Sequence, residues 1–162
     1  MAAKAPPLLT VQITRVRKAS DDAVLLPRYM TADAAGMDIY ADLDQDLIIP
    51  PFGRALVPTG FALALPQGYE AQVRPRSGLA LRSGLTILNA PGTIDTDYRD
   101  EVKILLINFG DQPVYLQRGD RIAQLVIAPI TRVQWQEVDH LEPTDRAGGF
   151  GHTDIQEHDK KR

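Results

Sequence analysis

The sequence predicts an all-β fold, and two observations carry that prediction. Twelve Gly and twelve Pro divide the 162 residues into short apolar runs. Many of these runs alternate apolar and polar residues with a period of two, as strands with one buried face do. Short strands separated by Gly- and Pro-rich turns are typical of a β-sandwich or β-barrel.

The strands are predicted in chain order from this alternation. Leu9, Val11 and Ile13 alternate with polar residues at the start of the chain. The later predicted strands cover residues 46–50, 54–58, 61–65, 69–74, 102–109, 113–117, 122–128 and 132–138. Turn residues separate them at positions such as 50–53, 66–68 and 108–113.

One very short helix is expected, at residues 77–83. Leu79, Ala80 and Leu81 are good helix formers, and Ser77 is a suitable N-cap. After residue 142 the apolar alternation ends. We therefore predict a single catalytic β-barrel domain over residues 1–142 and a flexible C-terminal arm over residues 143–162.

Bulk composition excludes several classes of function. The length suits one domain, and 44% apolar with 24% charged residues is ordinary for a soluble globular protein. Apolar runs such as residues 104–107 and 122–128 are far shorter than the ~20 residues that cross a bilayer, so no membrane partner is expected. The N-terminal residues run into Pro6 and Pro7 rather than an apolar segment, which predicts no secretory signal and a cytoplasmic location.

Charge and metal-ligand content narrow the ligand class. Cysteine is absent, which excludes disulfides, thiolate catalysis and Cys-based zinc sites. His140, His152 and His158 are too scattered to form a metal triad. A net charge of −3 and a pI near 5.6 argue against a nucleic-acid partner, so any polyanionic ligand is expected to be small and held by a local cluster.

Two polar segments precede the middle of the chain. Gly36 permits a tight turn before Asp38, which enters strand-like residues; a solvated turn Asp is the alternative. Arg76 offers a guanidinium fork beside Ser77 and Gly78, which open the predicted helix. This arrangement suits a phosphate group, although an ordinary Ser N-cap beside a surface Arg explains the same residues.

The most informative segment is residues 89–101. Pro91 and Gly92 form a turn signal, which predicts a hairpin that splays slightly and leaves backbone groups pointing into a slot. Those groups could recognise the edge of a base, and Asp95 could accept a proton from water. A surface hairpin with acidic residues is the alternative.

Two further segments follow. Gln124 lies among apolar neighbours inside a strand, where an amide needs a partner; a satisfied edge-strand amide is the alternative. Arg146 and Phe150 lie on a glycine-rich frame near the C-terminus. A cation and an aromatic ring in this setting suggest a lid over a flat anionic ligand, whereas glycines alone would mean a linker.

Taken in this order, the five segments resemble the five motifs of the trimeric deoxyuridine triphosphatase (dUTPase) family. The resemblance runs from about Ala34 to Thr153 and is strongest at Asn89 with residues 92–98, and at residues 76–80. Two features depart from the family pattern. Asp100 stands where the family usually has Gly, and one residue fewer than usual separates Arg146 from the Gly-Gly-Phe sequence.

The resemblance implies roles for individual residues. Asp95 matches the base that activates the attacking water, Tyr98 the ring beneath the deoxyribose, and Asp38 the carboxylate that supports Mg²⁺ through water. The residues that match substrate-binding positions are Arg76, Ser77, Gly78, Asn89, Gly92, Thr93, Ile94, Asp95, Lys103, Gln124, Arg146 and Phe150. Gln124 matches a contact to phosphate or to the catalytic water, Lys103 a main-chain contact to the base, Arg146 a contact to the terminal phosphate and Phe150 the cover over uracil.

The resemblance also implies a fold and a reaction. The fold is a jelly-roll-like distorted β-barrel, assembled as a homotrimer with active sites shared between subunits. The reaction is Mg²⁺-dependent hydrolysis of dUTP to dUMP and pyrophosphate by in-line water attack at the α-phosphorus, which keeps uracil out of DNA and supplies dUMP for thymidylate synthesis. The alternatives are a dCTP deaminase-type enzyme and a non-catalytic dUTPase-like binding or regulatory module.

Overall fold

The computed structural model describes residues 8–17 and 24–145, so Arg146 and Phe150 lie outside the described residues. Strands dominate, with one short helix, which confirms the all-β prediction. The elements are β1 (Gln12–Arg15), β2 (Arg28–Tyr29), β3 (Met37–Tyr40), β4 (Leu47–Ile49), β5 (Arg54–Pro58), β6 (Phe61–Ala64), β7 (Tyr69–Arg74), α1 (Ser77–Ser83), β8 (Leu85–Ile87), β9 (Gly92–Ile94), β10 (Lys103–Asn108), β11 (Val114–Leu116) and β12 (Arg121–Pro129).

The strands form antiparallel sheets in which neighbours are rarely consecutive in sequence. The largest sheet has the order β2-β3-β12-β7-β9, and a three-stranded sheet has the order β5-β10-β8. Two further pairs, β1 with β6 and β11 with β4, complete the pairing. This non-local pairing explains why strand positions were predictable from alternation but strand partners were not.

The hydrophobic core joins the two larger sheets. Ile39 and Leu125 come from the five-stranded sheet, Ile104 and Leu106 from the three-stranded sheet, and Phe61 from β6, and all are almost fully buried. Burial of each such side chain stabilises the fold by roughly 1.5–3 kcal/mol. In β10 the buried Ile104 and Leu106 flank the half-buried Leu105, and Ile107 and Asn108 are buried as well.

Two local predictions are corrected. The helix spans residues 77–83 as predicted, but its N-cap is Arg76 in extended conformation, without a side-chain capping bond, and not Ser77. Ser77 instead has helical geometry as the first residue of α1. The strand predicted at residues 132–138 is not formed. Every residue of that segment is exposed, and alternation makes a strand only where a neighbouring strand supplies hydrogen-bond partners.

Two compact units divide the chain, Met1–Thr131 and Arg132–Arg162. The first contains every helix and strand named above. The described part of the second, residues 132–145, contains neither helix nor strand. The division into a catalytic domain and an arm at residue 142 stays a prediction.

A buried carboxylate paired with two partly exposed arginines supports the turn between β5 and β6. Asp42 is only 4% exposed, and its carboxylate lies 2.8 Å from Nη2 of Arg118 and 3.6 Å from Nε of Arg17. Arg17 also binds Asp44, and this hydrogen bond raises the pKa of Arg17 and lowers the pKa of Asp44. Gly60 packs against Asp42 so closely that a Cβ there would lie 2.3 Å from Oδ2.

Replacement of Gly60 tests this packing, and Gly68 supplies a matched control. Both glycines have positive φ, 74° and 85°, but a Cβ at Gly68 meets no atom within 4 Å. We expect Gly68→Ala to lower the free energy of unfolding by about 1–2 kcal/mol, the cost of a left-handed backbone. Gly60→Ala should lower it by about 3 kcal/mol or more, because it also displaces a buried carboxylate. Equal losses in urea denaturation would contradict the packing argument.

Candidate active site

A cavity of about 300 Å³ lies where the two larger sheets separate. β8 pairs with β10 in one sheet, whereas β9 pairs with β7 in the other. The predicted hairpin is therefore wrong as a two-stranded ladder: the strands on either side of residues 89–91 have different partners. This connection crosses from one sheet to the other, and the cavity lies beside it.

The lining of this base cavity combines an apolar wall with a polar rim. The apolar side chains come from both sheets: Leu56, Val73, Ile87, Val102 and Leu105. Seven of the predicted site residues line the same cavity: Asn89, Gly92, Thr93, Ile94, Asp95, Tyr98 and Lys103. An apolar pocket with a few convergent polar groups is the usual form of a small-molecule site, and this volume lies at the small end of the usual range.

Backbone groups contribute to the rim because β9 is an edge strand. Its residues pair with β7, with Val73 opposite Gly92 and Gln72 opposite Thr93, while no strand among residues 8–17 and 24–145 pairs with its other side. An edge strand presents unpaired N–H and C=O groups. Gly92 also keeps the cavity open, since a Cβ there would lie 3.2 Å from Nδ2 of Asn89 and 3.4 Å from Cβ of Val73.

The turn after β9 places an acid and a ring together. Tyr98 N–H donates to the carbonyl oxygen of Asp95 at 3.3 Å, and Nη1 of Arg99 donates to the carbonyl oxygens of Thr96 and Tyr98. Asp95 is exposed and Tyr98 is 39% exposed, so water reaches both. An exposed carboxylate at the rim of an apolar cavity can accept a proton from a bound water.

Asp100 does not disturb this turn. Among the described residues other than glycine, Phe52 alone has a positive φ, so the backbone of Asp100 lies outside the left-handed region. The Gly that the dUTPase family usually has at this position is therefore not required here for its backbone freedom. Asp100 is exposed, and its side chain occupies space that a glycine would leave to solvent.

A second group of site residues surrounds Asp38. The Asp38 carboxylate is 8% exposed and lies between two guanidinium groups, with Oδ1 3.2 Å from Nε of Arg76 and Oδ2 3.2 Å from Nη1 of Arg121. Nη1 of Arg76 also donates to the carbonyl oxygen of Arg121 at 2.9 Å. Two cations and one anion leave the cluster with one net positive charge, which favours an anionic ligand. The solvated turn Asp that the sequence left open is excluded.

Gln124 is held beside the arginine cluster. In the sheet it lies opposite Asp38 on β3 and opposite Arg74 on β7. Its Nε2 donates to the carbonyl oxygen of Pro75 at 2.8 Å, and its amide oxygen covers Gly36, where a Cβ would lie 2.4 Å away. β12 is a central strand, so the edge-strand alternative is wrong.

Ser77 and Gly78 open α1 directly after Arg76. The first N–H groups of a helix have no intrahelical partner, so the backbone here can donate to an anion. Leu79 and Ala80 N–H groups already donate to the carbonyl oxygen of Arg76. We name the set of Asp38, Arg76, Ser77, Gly78, Arg121 and Gln124 the phosphate cluster; none of its members lines the base cavity within this chain.

The site residues suit a metal ion that is already bound to the phosphate groups of a ligand better than a metal ion coordinated directly by protein side chains. In residues 8–17 and 24–145 no group of three or more His, Cys, Asp or Glu could hold an ion. Both oxygens of Asp38 face arginines, but each oxygen keeps a further lone pair. Asp38 therefore fits the outer, water-mediated role predicted for it.

Two residues of these networks were not singled out from the sequence. Arg121 binds Asp38 across a separation of 83 residues, and Glu101 binds the backbone of Gly60 across 41 residues. The only sequence signal for Arg121 was a cation at the start of a strand whose other residues are mostly apolar.

No helix in the described residues is long and apolar enough to span a membrane.

Comparison with known proteins identifies the family. Residues 22–154 match the family model described as dUTPase. A protein of Desulfotalea psychrophila is 59% identical over 135 residues, which cover 83% of this chain and 90% of the relative. A protein of Syntrophotalea carbinolica is 53% identical over 146 residues, which cover 90% and 97%. Both are named deoxyuridine 5'-triphosphate nucleotidohydrolase.

The fold comparison agrees. The structure of the dUTPase of Staphylococcus bacteriophage 80alpha with dUPNHPP superposes with a TM-score of 0.78 at 24% identity, covering 90% of this chain and 99% of that chain. This similarity confirms the jelly-roll-like fold. The match over residues 22–154, together with more than 50% identity to named relatives, shows that the chain belongs to the dUTPase family.

Proposed function

We propose that this chain hydrolyses dUTP to dUMP and pyrophosphate through attack of water on the α-phosphorus, in line with the departing pyrophosphate. The observation that carries the proposal is the base cavity, where an open strand edge, Asp95 and Tyr98 meet. Family membership and the dUTP-directed names of its relatives support it. In a cell, this reaction would keep uracil out of DNA and supply dUMP for thymidylate synthesis.

Uracil would be selected by hydrogen bonding in the base cavity. Asn89 and the backbone of residues 92–95 offer donors and acceptors at fixed positions on the rim. Cytosine presents a donor where uracil presents an acceptor, which leaves a buried group unsatisfied at about 1–3 kcal/mol. Thymine would need space for its methyl group on the same rim, where a Cβ at Gly92 would already lie 3.2 Å from Nδ2 of Asn89.

Tyr98 would select the sugar. Its ring lines the cavity, and its hydroxyl is fixed by a 2.8 Å hydrogen bond to the carbonyl oxygen of Glu101. A ring held against the sugar leaves no space for a 2′-hydroxyl. UTP would therefore bind in a strained position or with the sugar displaced.

The phosphate cluster would hold the triphosphate. Arg76 and Gln124 are already oriented by contacts to Asp38 and to the carbonyl of Pro75, so little side-chain freedom is lost on binding. Mg²⁺, when bound to the substrate, would neutralise phosphate charge and fix the conformation of the triphosphate. Asp95 would orient the attacking water and accept its proton.

We further propose that the protein is a homotrimer with shared active sites. Within one chain no residue of the phosphate cluster lines the base cavity, which supports the proposal that the two are half-sites completed by different subunits. A cyclic arrangement would join the base cavity of one subunit to the phosphate cluster of the next. Arg146 and Phe150 of the C-terminal arm would then contact the terminal phosphate and the uracil ring. The cytoplasmic location stays a prediction from the sequence.

The two alternatives are not favoured. A dCTP deaminase would need to accept the cytosine that the base cavity disfavours, and ammonia would be its product. A non-catalytic module would be expected to lack the acid or the phosphate-binding arginine. Both are present here: Asp95 lines the base cavity, and Arg76 lies 3.2 Å from Asp38 in the phosphate cluster.

Nucleotide selectivity tests the proposed substrate. With Mg²⁺, pyrophosphate release from dUTP should exceed release from dCTP by about 10–100-fold for each mismatched hydrogen bond, because 1.4 kcal/mol corresponds to tenfold. Release from dTTP and UTP should be similarly slow. Initial rates on the four nucleotides, measured at equal low concentration, provide the comparison. Equal rates would rule the proposal out.

Asp95→Asn tests the base. The amide keeps the shape of the side chain but accepts no proton, so kcat should fall by about 10²–10⁴-fold. Binding of a non-hydrolysable dUTP analogue, measured by calorimetry, should change by less than about threefold, since the contacts to base and sugar remain. Persistent turnover would show that another group activates the water.

Subunit mixing tests whether the active site is shared. Asp95→Asn and Arg76→Ala should each be almost inactive alone. If a site uses Asp95 of one subunit and Arg76 of the next, random 1:1 trimers should regain about a quarter of wild-type activity, because each mixed trimer contains one intact site. A mixture that stays inactive after subunit exchange, with mixed trimers confirmed by native mass spectrometry, would place the complete site within one chain.

A further inference from the structure

The position of the Tyr98 ring depends on the backbone of Glu101. The Tyr98 hydroxyl donates to the carbonyl oxygen of Glu101 at 2.8 Å. The ring is 39% exposed at the cavity rim, so packing alone restrains it on one side only. Whatever fixes the backbone at residue 101 therefore also fixes the ring.

The Glu101 side chain provides this restraint. Its Oε1 accepts the N–H of Gly60 at 2.9 Å, and its side chain is only 16% exposed. An ionised acceptor makes a stronger bond to a backbone N–H than a neutral acceptor does. Lys103 also approaches Glu101, but at 3.7 Å and from a side chain that is 46% exposed, so this pair contributes little.

The next residue strengthens the same connection. The Val102 carbonyl oxygen accepts a hydrogen bond from the hydroxyl of Thr59, and Val102 N–H donates to the carbonyl oxygen of Phe61 at 2.9 Å. Residues 101–102 are thus bound to residues 59–61 by three hydrogen bonds. Two of them involve main-chain groups of residues 59–61, which we call the anchoring segment.

The anchoring segment is itself rigid. Thr59 and Gly60 are buried, and the Gly60 carbonyl oxygen accepts the N–H of Val16 at 2.9 Å. Gly60 packs directly against the buried Asp42 carboxylate, which is held by Arg118. The hydrogen bonds from Tyr98 through Glu101 to Gly60 therefore end in the core.

We propose that Glu101 is a positioning residue for the Tyr98 ring, and through it a determinant of discrimination between deoxyribose and ribose. The proposal rests on the proposed function, in which Tyr98 lies against the sugar. Glu101 touches neither the substrate nor the attacking water in this scheme. Its carboxylate restrains the main chain, and its main-chain carbonyl restrains the phenol.

Three variants test the proposal through the ratio of kcat/KM for dUTP to that for UTP. Glu101→Ala removes the acceptor for Gly60 N–H and should lower this ratio at least tenfold, with KM for dUTP rising more than kcat falls. Glu101→Gln keeps an amide oxygen that can accept the same N–H, so its ratio should stay within about threefold of wild type. Tyr98→Phe removes the hydroxyl and should lower the ratio as Glu101→Ala does.

The double variant Tyr98→Phe/Glu101→Ala separates positioning from general damage. If both residues act through one hydrogen-bonded path, the double variant should be no worse than the poorer single variant within about twofold. Asp111→Ala, which removes an exposed carboxylate outside both half-sites, should leave the ratio unchanged. A Glu101→Ala variant that slows both nucleotides equally, or a Glu101→Gln variant that behaves like alanine, would overturn the proposal.

A readout independent of activity distinguishes this proposal from the proposed function. Amide hydrogen exchange at Gly60 should be at least tenfold faster in Glu101→Ala than in wild type, and within about threefold of wild type in Glu101→Gln, whose neutral amide makes a weaker bond than the carboxylate. The ¹⁹F resonance of fluorotyrosine-labelled Tyr98, assigned by its loss in Tyr98→Phe, should shift only in the alanine variant. If the wild type fails to hydrolyse dUTP, these two measurements still report on the restraint; if they show no change, the restraint is wrong whatever the activity.

Discussion

The site depends on the separation of β8 and β9 into different sheets. Each strand is fixed by a partner distant in sequence: Leu106 lies opposite Ile87 in one sheet, and Val73 lies opposite Gly92 in the other. The connection between them cannot close into a two-residue turn, because its ends belong to opposite layers of the core. The cavity is the space that this geometry leaves. Its apolar walls come from the two sheets and its polar rim from the connection.

Stability and selectivity use the same interior contacts. The segment after β9 carries Asp95 and Tyr98, and the chain then returns through Glu101 to the turn at Gly60. That turn is supported by the Asp42 ion pairs. Asp42 is buried whereas Arg17 and Arg118 are partly exposed, so removing either arginine would leave a buried carboxylate less well compensated and would lower stability first. The hydrogen bonds of Tyr98 are thus linked through Glu101 to the buried Asp42 carboxylate, which is the kind of support that a preorganised site needs.

The positions of individual strands and of the helix were predicted from the sequence better than the pairing between strands. β5, β7 and α1 begin and end at the predicted residues. Their bounds could be predicted because alternation, helix propensity and turn residues each determine the backbone conformation of only a few neighbouring residues. The pairing of β9 with β7, the burial of Asp38 by Arg121 and the contact of Glu101 with Gly60 join residues that are far apart in the chain. No local pattern encodes those contacts. The candidate site residues follow from their resemblance to family motifs, and the structure adds their division between the base cavity and the phosphate cluster.

The phosphate cluster shows how an acidic chain can hold a polyanion. The whole protein carries a net charge of −3, so attraction to phosphate has to arise locally. Asp38 holds the guanidinium groups of Arg76 and Arg121 close together, which two like charges would otherwise resist. The same carboxylate reduces the net charge of the cluster to one positive unit. In the proposed reaction this balance matters after hydrolysis, because a fully cationic cluster would retain pyrophosphate. A cluster with one net positive charge would hold pyrophosphate less tightly than two uncompensated arginines would.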